Sequence, residues 1–425
     1  MRVALAAPIA LAAAVHLALA IGVAPRFEFD SQFYRAQAES LATGRGSLDT
    51  EGRPETRYPP GYPLFLAVFL VSGMGYTGAI AAQHLIWVAL VAASVWVAWR
   101  ASGSTVAASA AGVITTLDLP GLQSSMSVVS ETVAASTIVA AACCAWLSTQ
   151  AVTRSATLGW VVGAGALAGV TALVRPIAIA LGLPLALAVW VGADRRWRLC
   201  AAVVLLAVFA VPPMAWTVRN ARVAGVATLS SLAGINLPLH RAAATLAIRD
   251  PGGIDANLVR RRAELEAAAC LHLESAYRRP CADITWAERS GTYKRMAWPI
   301  LVRDPLATAW QAGRALAMIL FGGSADLIAK LARISESTAR LVCLAYTVPL
   351  ALLAVAGIPY WWSRARGLAV VIVLVLAYMF SMALGAEAYS RFRTPVIALY
   401  GILAAGGVAV AIDRRTEQSA AHVAT

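Results

Sequence analysis

A chain of 425 residues that is 60% hydrophobic and only 13% charged is not an ordinary soluble domain, which carries roughly 25% charge. Its formal net charge of +13 would suggest nucleic acid in a soluble protein. Here the basic residues are almost all Arg lodged between apolar runs, where membrane topology needs them. With no basic patch interleaved with aromatics and no zinc-finger spacing, a nucleic-acid partner is excluded.

The chain opens with Met1-Arg2 and an apolar run to Ala24. The run superficially resembles a signal peptide. Its length matches the roughly 20 residues that a helix needs to cross the hydrocarbon, so it is expected to be the first membrane helix, 3–24. A polar region, 25–77, follows. Spanning helices are then predicted over 78–99, 105–121, 131–150, 157–174, 176–193 and 199–217. A second polar region, 218–339, is the longest. Three more spans follow at 340–360, 367–386 and 394–412. The fold class is all-α and polytopic, with ten spans. It divides into an N-terminal membrane module 1–217, a loop region 218–339 and a C-terminal membrane module 340–425.

Arg and Lys in short loops stay on the cytoplasmic side. With the N-terminus inside, ten crossings put Arg100, Arg154, Arg195 to Arg198, Arg364 to Arg366 and Arg414-Arg415 all inside. Both long polar regions then face outward. Counting 306–322 as a further span would break this agreement. Arg314 within it would cost roughly 2.5–3.5 kcal/mol at mid-membrane, so an interfacial helix is expected there.

This topology gathers the unusual residues on the outer face. Asp30 precedes a short amphipathic stretch that ends near Gly44; it can cap that helix, face a cavity, or do both. Arg57-Tyr58-Pro59-Pro60-Gly61-Tyr62 reads as a rigid turn re-entering an apolar helix. There Pro-Pro fixes an extended approach, and Gly61 lets backbone come close to something. Glu131 heads a helix, where the dipole favours a carboxylate. Arg175-Pro176, Arg219-Asn220 and Tyr389 to Arg393 complete the set. Any single Arg at a membrane edge is explained by lipid contact; several converging on the face that holds Asp30 are less easily dismissed.

Four cysteines, Cys143, Cys144, Cys200 and Cys343, lie in apolar runs and read as small core residues. Cys270 and Cys281 share the polar region 218–339. If that region is extracytoplasmic, a disulfide between them is open, geometry permitting. The five His are scattered; His16 reads as a core polar group, and nothing marks His240 or His272 as ligands. There is no Walker loop and no zinc-enzyme pattern.

The ordered set resembles the GT-C superfamily of polyprenyl-phosphate-sugar-dependent glycosyltransferases. Its nearest groups are the protein O-mannosyltransferases, the lipid A aminoarabinose transferases and the rhizobial galacturonosyltransferases. The matching pieces are Asp30 with Tyr34, Ala38 and Leu41, Tyr58 to Phe65, Ser130-Glu131, Val174-Arg175-Pro176, Arg219-Asn220 and Tyr389 to Pro395. The resemblance implies an inverting transferase on the extracytoplasmic face of the inner membrane, with Asp30 as the catalytic carboxylate. The donor would be a polyprenyl-phosphate-linked sugar and the acceptor an envelope lipid, glycan or protein. Arg219, Arg391 and Arg175, in that order, would hold the donor phosphate, with Arg393 and Asn220 beside them. Glu131 would bind sugar hydroxyls or assist Asp30, and Arg57, Tyr58 and Tyr62 would shape the cavity. Many members carry an acidic pair where this chain has Asp30-Ser31, so a divalent metal is possible but not indicated, and no other cofactor is certain. No appended soluble C-terminal domain is expected.

Two other classes compete. A transporter or flippase would place polar groups near mid-membrane in related halves, and no internal repeat is evident. A non-catalytic envelope scaffold would show no donor-dependent sugar transfer.

Overall fold

The structure, a computed structural model, describes residues 2–424. Among them, helix is the only regular element; two isolated bridges, Arg26 with Ser127 and Leu48 with Pro54, are the β pairings found. Helix α1 (Arg2–Gly22) leads into a first loop that folds as α2 (Ser31–Ala42) and α3 (Gly61–Val71). Next come α4 (Gly75–Ser102), α5 (Thr105–Thr116), α6 (Leu119–Ser125), α7 (Glu131–Ser148), α8 (Arg154–Val174), α9 (Gly182–Gly192) and α10 (Arg198–Ala224). The region 218–339 continues as α11 (Leu232–Asn236), a π-helical turn at Leu237–Ala242, α12 (Ala243–Arg249), α13 (Gly253–Tyr277), α14 (Trp286–Arg303), α15 (Pro305–Phe321) and α16 (Ala325–Ala332). The chain closes with α17 (Glu336–Arg364), α18 (Arg366–Met382), a 3-10 segment at Ser390–Val396 and α19 (Ile397–Ala424).

This is an all-α, polytopic membrane architecture, and an apolar helix stands at each of the ten expected spans, three of them short or bent. Among the described residues, seven helices are long and apolar enough to cross a membrane, or eight if a bent pair counts as one. The bent pair is α5 and α6, which meet at 57° where one helix was expected over 105–121. Asp118 causes the break: its Oδ2 accepts from Gly121 N at 3.0 Å and caps α6, with Pro120 in the first turn. The expected spans 176–193 and 367–386 are short apolar helices, Pro176–Gly192 and Arg366–Met382. Arg175 is extended (φ −143°, ψ 111°), and one 3-10 turn precedes α9. The second is cut at Met382, before an irregular stretch around Gly385. Helix α15 is not among the apolar spans; its Arg314 reaches Asp255 at 2.6 Å.

The bundle packs through small residues, as expected where lipid removes the hydrophobic drive between helices. A Cβ on Gly165 of α8 would lie 2.6 Å from Leu205 O of α10. A side chain on Gly357 of α17 would strike Leu403 O of α19, and one on Gly407 would strike Leu353 O. The region 218–339 is tied to the first loop, where Ser231 N donates to Thr56 O at 2.9 Å. Cys270 and Cys281 are joined by a disulfide, with Cα atoms 5.3 Å apart, fastening α13 to the turn before α14. Protein purified without reductant should therefore migrate faster on a non-reducing gel than its Cys270→Ser variant. Identical migration would show that the bond does not form.

Candidate active site

Asp30 stands at the start of α2 but does not cap it. Its backbone is helical (φ −68°, ψ −23°) and its side chain makes no capping bond. Ser31 takes up local hydrogen bonding instead: its Oγ accepts from Glu28 N and donates to Val128 O, both at 2.8 Å. The Asp30 carboxylate is thus left for other partners. Arg391 Nη2 donates to Oδ2 at 2.7 Å, and the Tyr58 hydroxyl donates to Oδ1 at 3.3 Å.

Tyr58 is held by aromatic neighbours, stacked on Phe33 and edge-on to Tyr34. Burial, and then the Asp30 carboxylate, push both tyrosine hydroxyls above their usual range. Tyr58 therefore remains a proton donor to Asp30. The turn that delivers it needs glycine: a Cβ on Gly61 would lie 2.6 Å from the backbone of Leu173 and Val174. The close approach expected of Gly61 is to the end of α8, directly beside Arg175.

Glu131 heads α7 and is fully buried. Its Oε1 accepts from Arg175 Nη1 at 2.7 Å and from Arg391 Nε. Arg175 sits at the break after α8, also reaches Ser130 Oγ at 3.3 Å, and lies over the Phe392 ring. Arg391, on the 3-10 segment, bridges both carboxylates. Four stretches far apart in sequence thus bring together two carboxylates and two guanidinium groups whose formal charges sum to zero. Among the described residues, Arg391 Nη1 and Arg175 Nη2 have no hydrogen-bond partner, and of the two cations Arg391 lines the cavity. A cavity of about 930 Å³ opens beside Arg391, lined also by Gln123, Ser127, Tyr389 and Arg314.

The other expected residues are engaged elsewhere. Arg219 donates to the carbonyls of Glu55 and Ser47 and to Asn220 Oδ1, at 2.7–2.9 Å, and lies over Trp216. It clamps the first loop to α10. Asn220 is buried and donates to Thr228 O at 2.8 Å. Arg393 is fully buried; it pairs with Asp118 at 2.9 Å and donates to the carbonyls of Ile319 and Leu320, closing the end of α15. Arg57 pairs with Glu55 and lies over Phe33. Tyr62 is buried, and its hydroxyl donates to Gln83 Oε1 at 3.0 Å.

Sequence reasoning missed Asp118 and Glu55. Asp118-Leu119-Pro120-Gly121 within an apolar run was the available sign of a capped break. Glu55 gave none. His240 lies against Arg262 (2.6 Å) and Glu387 (3.8 Å). Burial, helped by Arg262, holds its pKa down at about 4, and burial raises the Glu387 carboxyl.

Arg391 spans both carboxylates, Ser31 Oγ faces Val128 O, and among the described residues no three His, Cys, Asp or Glu side chains gather as a metal site would require.

By sequence, the chain matches no family model and no curated protein. Its fold does have solved relatives. The archaeal oligosaccharyltransferase AglB from Archaeoglobus fulgidus, in complex with an inhibitory peptide and a dolichol-phosphate, superposes with a TM-score of 0.54 at 12% identity. That match covers 99% of this chain and 51% of AglB. A crystal structure of the Archaeoglobus fulgidus oligosaccharyltransferase, tethered to an acceptor peptide containing the NVT sequon, gives a TM-score of 0.53 at 14% identity, covering 96% and 49%. ArnT from Cupriavidus metallidurans in the apo state gives 0.40 at 19% identity, covering 94% and 77%, a score too low to define a fold. The chain therefore shares the membrane fold of the oligosaccharyltransferase AglB. It spans about half the length of the oligosaccharyltransferase chains it matches.

Proposed function

We propose that this protein is an inverting glycosyltransferase that moves a sugar from a polyprenyl-phosphate donor to an envelope acceptor outside the inner membrane. The observation that carries this is Arg391, which links Asp30 to Glu131 at the edge of a cavity large enough for a sugar. The solved relative of like fold holds a dolichol-phosphate, and the Cys270–Cys281 disulfide suits an oxidising compartment.

In this reading Asp30 is the general base. It accepts the proton of the acceptor hydroxyl as that oxygen attacks the anomeric carbon. The bond from that carbon to the phosphate oxygen breaks, and the lipid phosphate leaves with its electron pair. One carboxylate suffices for such a displacement, and the anomeric carbon inverts. The unpartnered donors on Arg391 and Arg175 hold the leaving phosphate, a task for which guanidinium is suited by its fixed charge and forked geometry. Glu131 keeps the two arginines aligned. Arg219, the leading phosphate candidate from sequence, supports the first loop instead.

Donor binding tests the phosphate assignment. Arg391→Lys keeps the charge but cannot bridge Asp30 and Glu131 while also reaching a phosphate. Losing one charge-assisted bond, worth about 1.5–3 kcal/mol, should raise the Kd for a polyprenyl phosphate by roughly 10- to 150-fold with normal expression. Wild-type affinity in the Lys variant would remove Arg391 from the phosphate site. Transfer itself is tested by incubating proteoliposomes with labelled lipid-linked sugars and envelope extract. No donor-dependent product from any hexose, pentose or uronic acid donor would reject the reading.

A further inference from the structure

The end of the bundle opposite the candidate active site carries a second cavity, of about 510 Å³. It lies where the C-terminal ends of α4, α7, α9 and α17 meet the start of α18. Arg100, Arg364 and Arg366 line it, with Thr149 and Gln150 between them and Trp146, Val191 and Val370 as an apolar floor. No carboxylate is among its lining residues, and none of the three guanidinium groups forms an ion pair with a described residue. Arg364 only approaches Ser102 O at 3.4 Å. Arg364 and Arg366 lie over Tyr360 and Trp362, contacts that leave the edge N–H groups available.

The start of α18 adds to this. Its N-cap, Ala365, has no side chain able to cap, so the first amides of this 17-residue helix are open. Gly367 lets them approach α7 closely: a Cβ there would lie 2.6 Å from Thr149 Oγ1. The helix C-termini at this end offset part of the positive charge, but a helix dipole acts only within about its last turn. Three cations in one pocket without a counter-charge remain, and an anion is what the pocket lacks.

We propose that this pocket binds the phosphate of an anionic membrane lipid through Arg100, Arg364, Arg366 and the first amides of α18. Lipid, rather than a soluble anion, is favoured by the apolar side chains beside the arginines and by the exposed Trp362 that stacks under Arg366. The site stands apart from the transfer reaction, and its test does not depend on that reading.

The experiment is native mass spectrometry of the delipidated full chain, titrated separately with phosphatidylglycerol, phosphatidylcholine and inorganic phosphate. Phosphatidylglycerol should bind at least tenfold more tightly than phosphatidylcholine. Arg100→Gln, Arg364→Gln and Arg366→Gln should each weaken it severalfold; all three are exposed, so folding is not at stake. Arg154→Gln, altering a charge that does not line the pocket, should retain the preference. Equal binding of the two lipids, or an equal loss with Arg154→Gln, would reduce the pocket to diffuse surface charge. Tight inorganic phosphate with no lipid preference would make it a soluble-anion site. Either result overturns the proposal.

Discussion

Asp30→Asn should lower donor turnover by roughly 100- to 10,000-fold, the usual contribution of a positioned general base, in a protein that still folds. Folding is protected because the Asp30 side chain caps nothing and the amide keeps the shape of the carboxylate. Tyr58 can still donate to the remaining oxygen, and Arg391 keeps Glu131. The measurement is sugar transfer in proteoliposomes beside donor affinity. A base predicts collapse of kcat with a nearly unchanged Kd. If Kd rises in step with the loss of turnover, Asp30 holds Arg391 in place and is not the base. Wild-type turnover would dismiss both possibilities.

The second large effect lies away from the chemistry. Arg393→Ala or Asp118→Ala should destabilise the protein by about 3–5 kcal/mol, because each leaves a buried charge without its partner. Arg393 also donates to the end of α15, so its loss should loosen that helix as well. Replacing both partners with apolar residues of similar volume, Arg393→Met with Asp118→Leu, should recover much of the loss. Thermal denaturation in detergent would show it; single variants melting like wild type would mean that the pair carries no stability.

The residues that converge were legible because each departs from its surroundings. Asp30, Glu131, Arg175 and Arg391 are ionisable groups at the ends of apolar runs, and loop charge puts them on one face. The partners of an arginine were not legible. Arg391 and Arg393 are two residues apart and alike in chemistry, yet one meets carboxylates at a cavity edge and the other is sealed against Asp118 and two carbonyls. Only packing separates them. The shortening and bending of three spans went unseen for a similar reason. An average over hydropathy does not register Asp118 capping α6, or Arg175-Pro176 shortening the next helix. Gly61 was read as a point of close approach, but its neighbour, the end of α8, is over 100 residues away in sequence.

The bridge from Arg391 to Asp30 would also govern the flow of protons in the proposed reaction. There Asp30 becomes neutral when it takes the acceptor's proton, and its hold on Arg391 slackens. At that moment the departing lipid phosphate acquires its second negative charge, and the released guanidinium meets it. The site then carries the same total charge before and after the bond is cut, so charge is only moved from the carboxylate to the phosphate. Resetting the proposed site would require only that Asp30 give its proton to outside water, which returns Arg391 to its carboxylate and lets the spent lipid go.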